Sequence, residues 1–287
     1  MSNCKHYPAK HILIFDSGVG GLSIAEKIQQ QLPESSITYC SDNAAFPYGT
    51  KNEQVLVSRT ERVLQALQKK EPCDIIIIAC NSASTLALPH IRSQFKQPVI
   101  GVVPAIKPAA KLSKNRQIGV LATPGTVSRA YTHKLVEDFA KHCDVHMLGS
   151  SELVVMAEKK LRGTPLDPEL LTPILKPLKT KNIDTLVLAC THFPLLKQEI
   201  QDWFGPSVTL VDSANAIARR VQYLLQKGID TNSNTNSNTN TKSSVTAPAN
   251  QQTPVHRCYF TANTKDIWQL EPALKHYNFN DVRILEV

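Results

Sequence analysis

The chain reads as an α/β protein built from two pseudo-symmetric, doubly wound parallel-sheet domains, with a functional site in the cleft between them. Three observations predict this. Runs of β-branched residues alternate with amphipathic segments along nearly the whole sequence, as expected for parallel strands covered by helices on both faces. A glycine-containing turn, followed later by a strand that ends in a thiol, occurs once in each half, a physical repeat signal. Both thiols, Cys80 and Cys190, end apolar runs, and open α/β sheets bind ligands beyond the carboxyl ends of their strands.

The first half opens with the strand "HILIFDS" and the turn "DSGVGGLS". That turn resembles a phosphate-cradling loop, but GxGxxG would need glycine where Ser23 stands and no GK[ST] follows, so neither nucleotide fingerprint is met. What remains is a tight turn that brings Asp16 and Ser17 to the sheet edge, with free helix-start N–H groups suited to a carboxylate. The strand "SITYCSD" follows, then an amphipathic helix over 51–70, then "DIIIIAC" and a helix over "NSASTLALPHIRSQF". The strand "PVIGVV" closes this half, and the boundary falls near Pro104.

The second half repeats the order with "QIGVLAT", a helix over 126–142, "DVHMLGS", "DTLVLAC" and "VTLVDS". The tail, "HRCYFTA", a helix over 264–278 and "DVRILEV", is too small to stand alone and is expected to return to the first domain. The expected division is 1–103 completed by 218–287, with 104–217 as the second domain. The polar tract at 231–254 has nothing to bury and reads as a disordered surface insertion.

Composition narrows the function. The start "MSNCKHYPAK" lacks an apolar export segment and the run "IIIIAC" is far short of the roughly 20 residues of a membrane span, so a cytoplasmic protein without a membrane role is expected. The net charge of +8 is spread along the chain without a basic run or interleaved aromatics, which argues for a solvated surface and against a nucleic-acid partner. Seven cysteines include no CxxC pair for zinc or dithiol redox chemistry. Most read as small buried hydrophobes.

Cys80 and Cys190 differ from the rest by their settings. Cys80 lies where a helix begins, and a helix N-terminus lowers a thiol pKa from about 8.5 toward neutrality; the plainer reading is a strand-end cysteine with Asn81 or Ser82 capping the helix. Cys190 precedes Thr191, His192 and a Pro194 suited to a first helical turn, and His192 can assist proton transfer. A disulfide redox pair needs its thiols within bonding distance, and acyl transfer needs one nucleophile. Racemisation at a carbon acid uses two thiols on opposite faces, one removing the α-proton and the other returning one.

The motifs "IFDSGVGGLS", "DNAAFPYG", "ACNSAS", "GVVPA", "ACTHFPLL" and "VDSANAIARR", in this order from about residue 11 to 220, make the chain resemble the bacterial glutamate racemases of the aspartate/glutamate racemase family. The resemblance implies two pseudo-symmetric α/β domains, D-glutamate supply for peptidoglycan, and neither pyridoxal phosphate nor metal as cofactor. It implies that Cys80 exchanges a proton with D-glutamate and Cys190 with L-glutamate, assisted by Asp16 and His192 respectively. Substrate contacts are implied at Asp16, Ser17, Tyr48, Gly49, Asn81, Ser82, Thr191 and His192, with Thr123 and Thr126 contributing to carboxylate binding. Many members carry threonine at the position of Ser82, a change that keeps the hydroxyl and loses only methyl packing.

Asp42 and Glu158 match acidic positions near the family's site, and a plain surface charge remains an alternative for Glu158. The segment "SELVVMAEKKLRG" is similar to the subtype activated by UDP-N-acetylmuramoyl-L-alanine. Oligomeric state is left open. Two alternatives stand beside glutamate: a related racemase acting on aspartate or a hydantoin, and a non-catalytic binding module on the same fold. "PYG" and "CTHFP" favour glutamate, and the retention of both thiols speaks against a silent module.

Overall fold

The structure, a computed structural model, describes residues 10–233 and 253–287, with 228–233 as backbone alone. Most of the tract expected to be a disordered insertion lies outside the described residues. Among the described residues ten strands form: β1 (His11–Asp16), β2 (Ser36–Ser41), β3 (Ile75–Ile78), β4 (Val99–Gly101), β5 (Gln117–Ala122), β6 (Asp144–Gly149), β7 (Thr185–Leu188), β8 (Thr209–Val211), β9 (His256–Phe260) and β10 (Asp281–Ile284). They make two sheets of order β10-β9-β2-β1-β3-β4 and β6-β5-β7-β8. Every pairing is parallel.

The repeat is visible in the strand orders. β2-β1-β3-β4 and β6-β5-β7-β8 have the same winding, so β1 corresponds to β5 and β3 to β7. The fully buried runs Ile75–Ile78 and Thr185–Leu188 lie beside β1 and β5 at the points where strand order reverses. Such switch points open a crevice at the carboxyl ends of the strands. The tail strands β9 and β10 extend the first sheet beyond β2. Helix Ala214–Ser233 leads toward them, its Ala218 and Val221 packed in one apolar cluster with Ile24 and Ile28 of helix Leu22–Gln31.

Two helices differ from expectation. The segment expected as one helix over 126–142 is divided into Pro124–Ser128 and Ala130–Phe139, because Arg129 is extended (φ −77°, ψ 138°). The helix expected over 264–278 is likewise two short pieces, Asp266–Gln269 and Glu271–His276, the second beginning at a proline-bearing first turn. Among the described residues, no helix is long and apolar enough to cross a membrane.

Candidate active site

Cys80 follows β3 and Cys190 follows β7, and both line one cavity of about 30 Å³ between the sheets. The space suffices for about two waters. Ser17, Asn81, Ser82, Tyr48 and Gly49 line it on the first-sheet side; Thr123, Thr191 and His192 face them from the second. Two of the expected contact residues do not reach the cavity. Asp16 is fully buried one layer back, accepting from the Thr191 hydroxyl at 2.9 Å and the Gly18 N–H at 2.9 Å. Thr126 is also fully buried, behind Thr123; the Thr123 side chain accepts from the Thr126 N–H and its hydroxyl donates to the Thr126 hydroxyl at 3.0 Å.

The helix behind Cys80 spans Asn81–Gln94, with Cys80 itself at the N-cap position. Asn81 and Ser82 therefore lie inside the first turn and do not cap it. The expected drop in the Cys80 pKa does not occur. Burial, joined by the nearby Asp16 charge, pushes this thiol up to about 12; the Ser17 hydroxyl and Ala83 N–H favour the thiolate but are outweighed. Ser17 Oγ lies 3.5 Å from Cys80 Sγ and 3.4 Å from Asp16 Oδ1, linking thiol to carboxylate through one hydroxyl. Burial also raises the Asp16 pKa, against the opposing charge of His192.

Cys190 has a histidine and a carboxylate behind it. His192 Nδ1 is 3.9 Å from Cys190 Sγ, and His192 Nε2 is 2.8 Å from Glu158 Oε1. Burial alone would lower the histidine pKa, but its bonds to Cys190 and Glu158, with their charges, raise it well above the ordinary value. Burial works against the Glu158 carboxylate too, yet His192, the Val19 N–H and Arg162 hold its pKa below the ordinary value. The pair is an imidazolium–carboxylate contact closed off from water.

Glu158 is therefore not a surface charge: it is 3% exposed. It lies on helix Glu152–Leu161, where Leu153, Val154, Ala157 and Glu158 form the buried face. Its position four residues after Val154 is the signal by which its orientation is readable, since i and i+4 share a helix face. The helix-start N–H groups are not left for a ligand as expected: those of Leu22, Ser23 and Ile24 donate to the carbonyls of Val19, Gly20 and Gly21, and the turn before them is engaged too. Val19 N–H donates to Glu158 Oε1 at 3.0 Å and Gly18 N–H to Asp16. The glycines serve close approach: a Cβ on Gly20 would lie 2.6 Å from both His192 Nδ1 and Thr191 Oγ1, and one on Gly18 2.4 Å from Glu158 Oε1.

Asp42 stays out of the cavity and holds Tyr48. It accepts the Tyr48 hydroxyl at 2.5 Å, Thr261 Oγ1 at 2.6 Å and a two-pronged Arg59 contact at 2.7 and 2.9 Å. Sequence reasoning missed Phe46, Pro47, Thr50, Ser151 and Val154, which complete the lining. Phe46, Pro47 and Thr50 flank the recognised Tyr48–Gly49 pair, whereas Ser151 and Val154 carry no chemical mark.

Residues 13–221 match the family described as Asp/Glu/Hydantoin racemase. A glutamate racemase of Vibrio vulnificus (strain YJ016) is 45% identical over 274 residues, 96% of each chain. One from Aliivibrio fischeri is 54% identical over 216 residues, 75% of this chain and 81% of the relative. Among solved structures, Escherichia coli glutamate racemase, in complex with L-glutamate and the activator UDP-MurNAc-Ala, superposes with a TM-score of 0.87 at 42% identity, covering 98% of this chain and 99% of that one. Francisella tularensis glutamate racemase in complex with D-glutamate gives 0.75 at 26% identity, covering 96% and 97%. With two thiols at equivalent strand ends and a family match over most of its length, the chain belongs to the Asp/Glu/Hydantoin racemase family.

Proposed function

We propose that this protein is a glutamate racemase, an isomerase that interconverts L- and D-glutamate by proton removal at one thiol and proton return from another, and that it supplies D-glutamate for peptidoglycan in the cytoplasm. The observation that carries the reading is two thiols on one cavity, each with its own proton-handling neighbour, Ser17 at Cys80 and His192 at Cys190. Cys190 Sγ lies 3.9 Å from the Nδ1 of His192, whose other nitrogen is held by the buried Glu158, so a proton-handling imidazole adjoins this thiol. Cys80 is held as a thiol, ready to act as an acid. That arrangement suits removal of the L-glutamate α-proton by Cys190 and delivery of a proton to the other face by Cys80.

In the reverse direction Cys80 must lose its proton. The Ser17 hydroxyl, within reach of both Cys80 and Asp16, is the path by which Asp16 assists. Asn81, Ser82, Tyr48, Gly49, Thr123 and Thr191 are assigned to substrate binding, with Asp16 and Thr126 acting through Ser17 and Thr123. Residues 1–103 with 218–287, and 104–217, are taken as the two domains whose separation admits substrate.

The test is the loss of optical rotation from L-glutamate incubated with purified protein, without added cofactor, with and without UDP-N-acetylmuramoyl-L-alanine. Decay to zero rotation is expected, faster with that activator and unaffected by a chelator or hydroxylamine. Unchanged rotation in both arms, or faster turnover of aspartate, would overturn the assignment.

A further inference from the structure

The cavity is closed by two seams of unlike character. At one, Asp16, Gly18 and Val19 meet Thr191, His192 and Glu158 through buried charged bonds and glycine-only approaches. At the other, the Ser82 and Thr123 hydroxyls meet at 3.3 Å, and a Cβ on Gly125 would lie 2.5 Å from the Gly49 carbonyl oxygen. These two hydroxyls are buried, but they lie close to the surface, with Pro124 and Ser128 exposed beside them. Room for about two waters does not admit a glutamate, so a seam must part. Breaking the first strands buried charges, which is far more costly than parting two neutral hydroxyls.

Arg129 holds the second seam. Its extended backbone interrupts the helical run at this position, and its guanidinium crosses from the second-sheet side to the first turn behind Cys80. Nη1 donates to the Ser82 carbonyl at 2.9 Å and to Thr85 Oγ1 at 2.9 Å. The substrate is a dicarboxylate, and among the described residues no lysine or arginine lines the cavity. Arg129, one layer behind Ser82, brings a positive charge to the lip.

Resting on the glutamate reading, we propose that Arg129 is a positioning residue, a latch that releases Ser82 and Thr85 to admit glutamate and re-forms both bonds to hold it. The latch acts on retention of substrate and not on proton transfer. Steady-state kinetics of both enantiomers separate these. Arg129→Met is expected to raise KM about 10-fold for L- and D-glutamate with kcat within about threefold, and Arg129→Lys to fall between it and the wild type. Thr85→Val, which removes one of the two acceptors, is expected to raise KM about twofold and serves if Arg129→Met does not fold. Unchanged KM in whichever of these variants folds, or a fall in kcat at constant KM, overturns the latch while leaving the function intact. A wild-type protein inert toward both enantiomers overturns the function and the latch with it.

Discussion

His192 is an imidazole enclosed by Cys190, Glu158 and the ring of Phe46, 5.9 Å away. The pH consequences follow from the two signs. The Glu158 pKa is lowered, so its contribution to stability is present above the ordinary carboxylate range and is lost as pH falls through the lowered value. The His192 pKa is raised, so its contribution is complete below the ordinary histidine value and is lost as pH rises through the raised one. The contact is therefore intact across neutrality. Glu158→Gln removes one of the two partners that raise the His192 pKa, leaving Cys190 alone against burial, so that pKa should fall. Thermal unfolding should report a loss of about 3 kcal/mol, and the alkaline limb of kcat should move to lower pH. An unmoved limb would refute the coupling. On the other thiol, Ser17→Ala should lower kcat from D-glutamate by roughly 100-fold, the scale of an acid–base assist, and by more than kcat from L-glutamate; equal falls would remove Ser17 from the path. Cys80 and Cys190 were legible in the sequence because each ends an apolar run. Asp16 and His192 were legible beside them, but the bonds that Glu158 makes were not, because it lies 34 residues from His192 and 139 from Val19.

Elements were readable wherever one periodicity ruled. The ten strands of the described residues stand where the sequence predicted them, most plainly the central β1, β3, β5 and β7, since a strand buried on both faces needs a continuous apolar sequence. Helix boundaries were less readable where a side chain outside the helix decides them. The interruption at Arg129 coincides with a bond to the Ser82 carbonyl in the helix Asn81–Gln94, which no local pattern encodes. The turn carrying Tyr48 depends on a similar distant tie, because Asp42 joins it to Arg59 and to Thr261 just after β9. Asp42→Asn leaves the partly buried Arg59 without its counter-charge and is expected to lower stability by about 3 kcal/mol, read as a lower denaturant midpoint. An unchanged midpoint would show that the tie between turn and tail is incidental.

At the scale of the molecule, equivalent windings bring equivalent strand ends to one crevice, and that relation was legible as the internal echo of glycine turn and thiol. The closeness of the two halves was not, because a glycine in a turn does not announce what approaches it. Gly20→Ala should cost about 1–3 kcal/mol by overpacking and depress kcat by displacing His192 and Thr191; retained activity and stability would show that the seam yields freely. The central claim is that Cys80 and Cys190 act on opposite faces of the α-carbon, and single-thiol variants in deuterated water test it most directly. Cys190→Ala should not racemise, yet should wash the α-proton out of D-glutamate through Cys80. Cys80→Ala should do the same for L-glutamate through Cys190. Near wild-type racemisation by either variant, or exchange of the same enantiomer by both, would contradict the account.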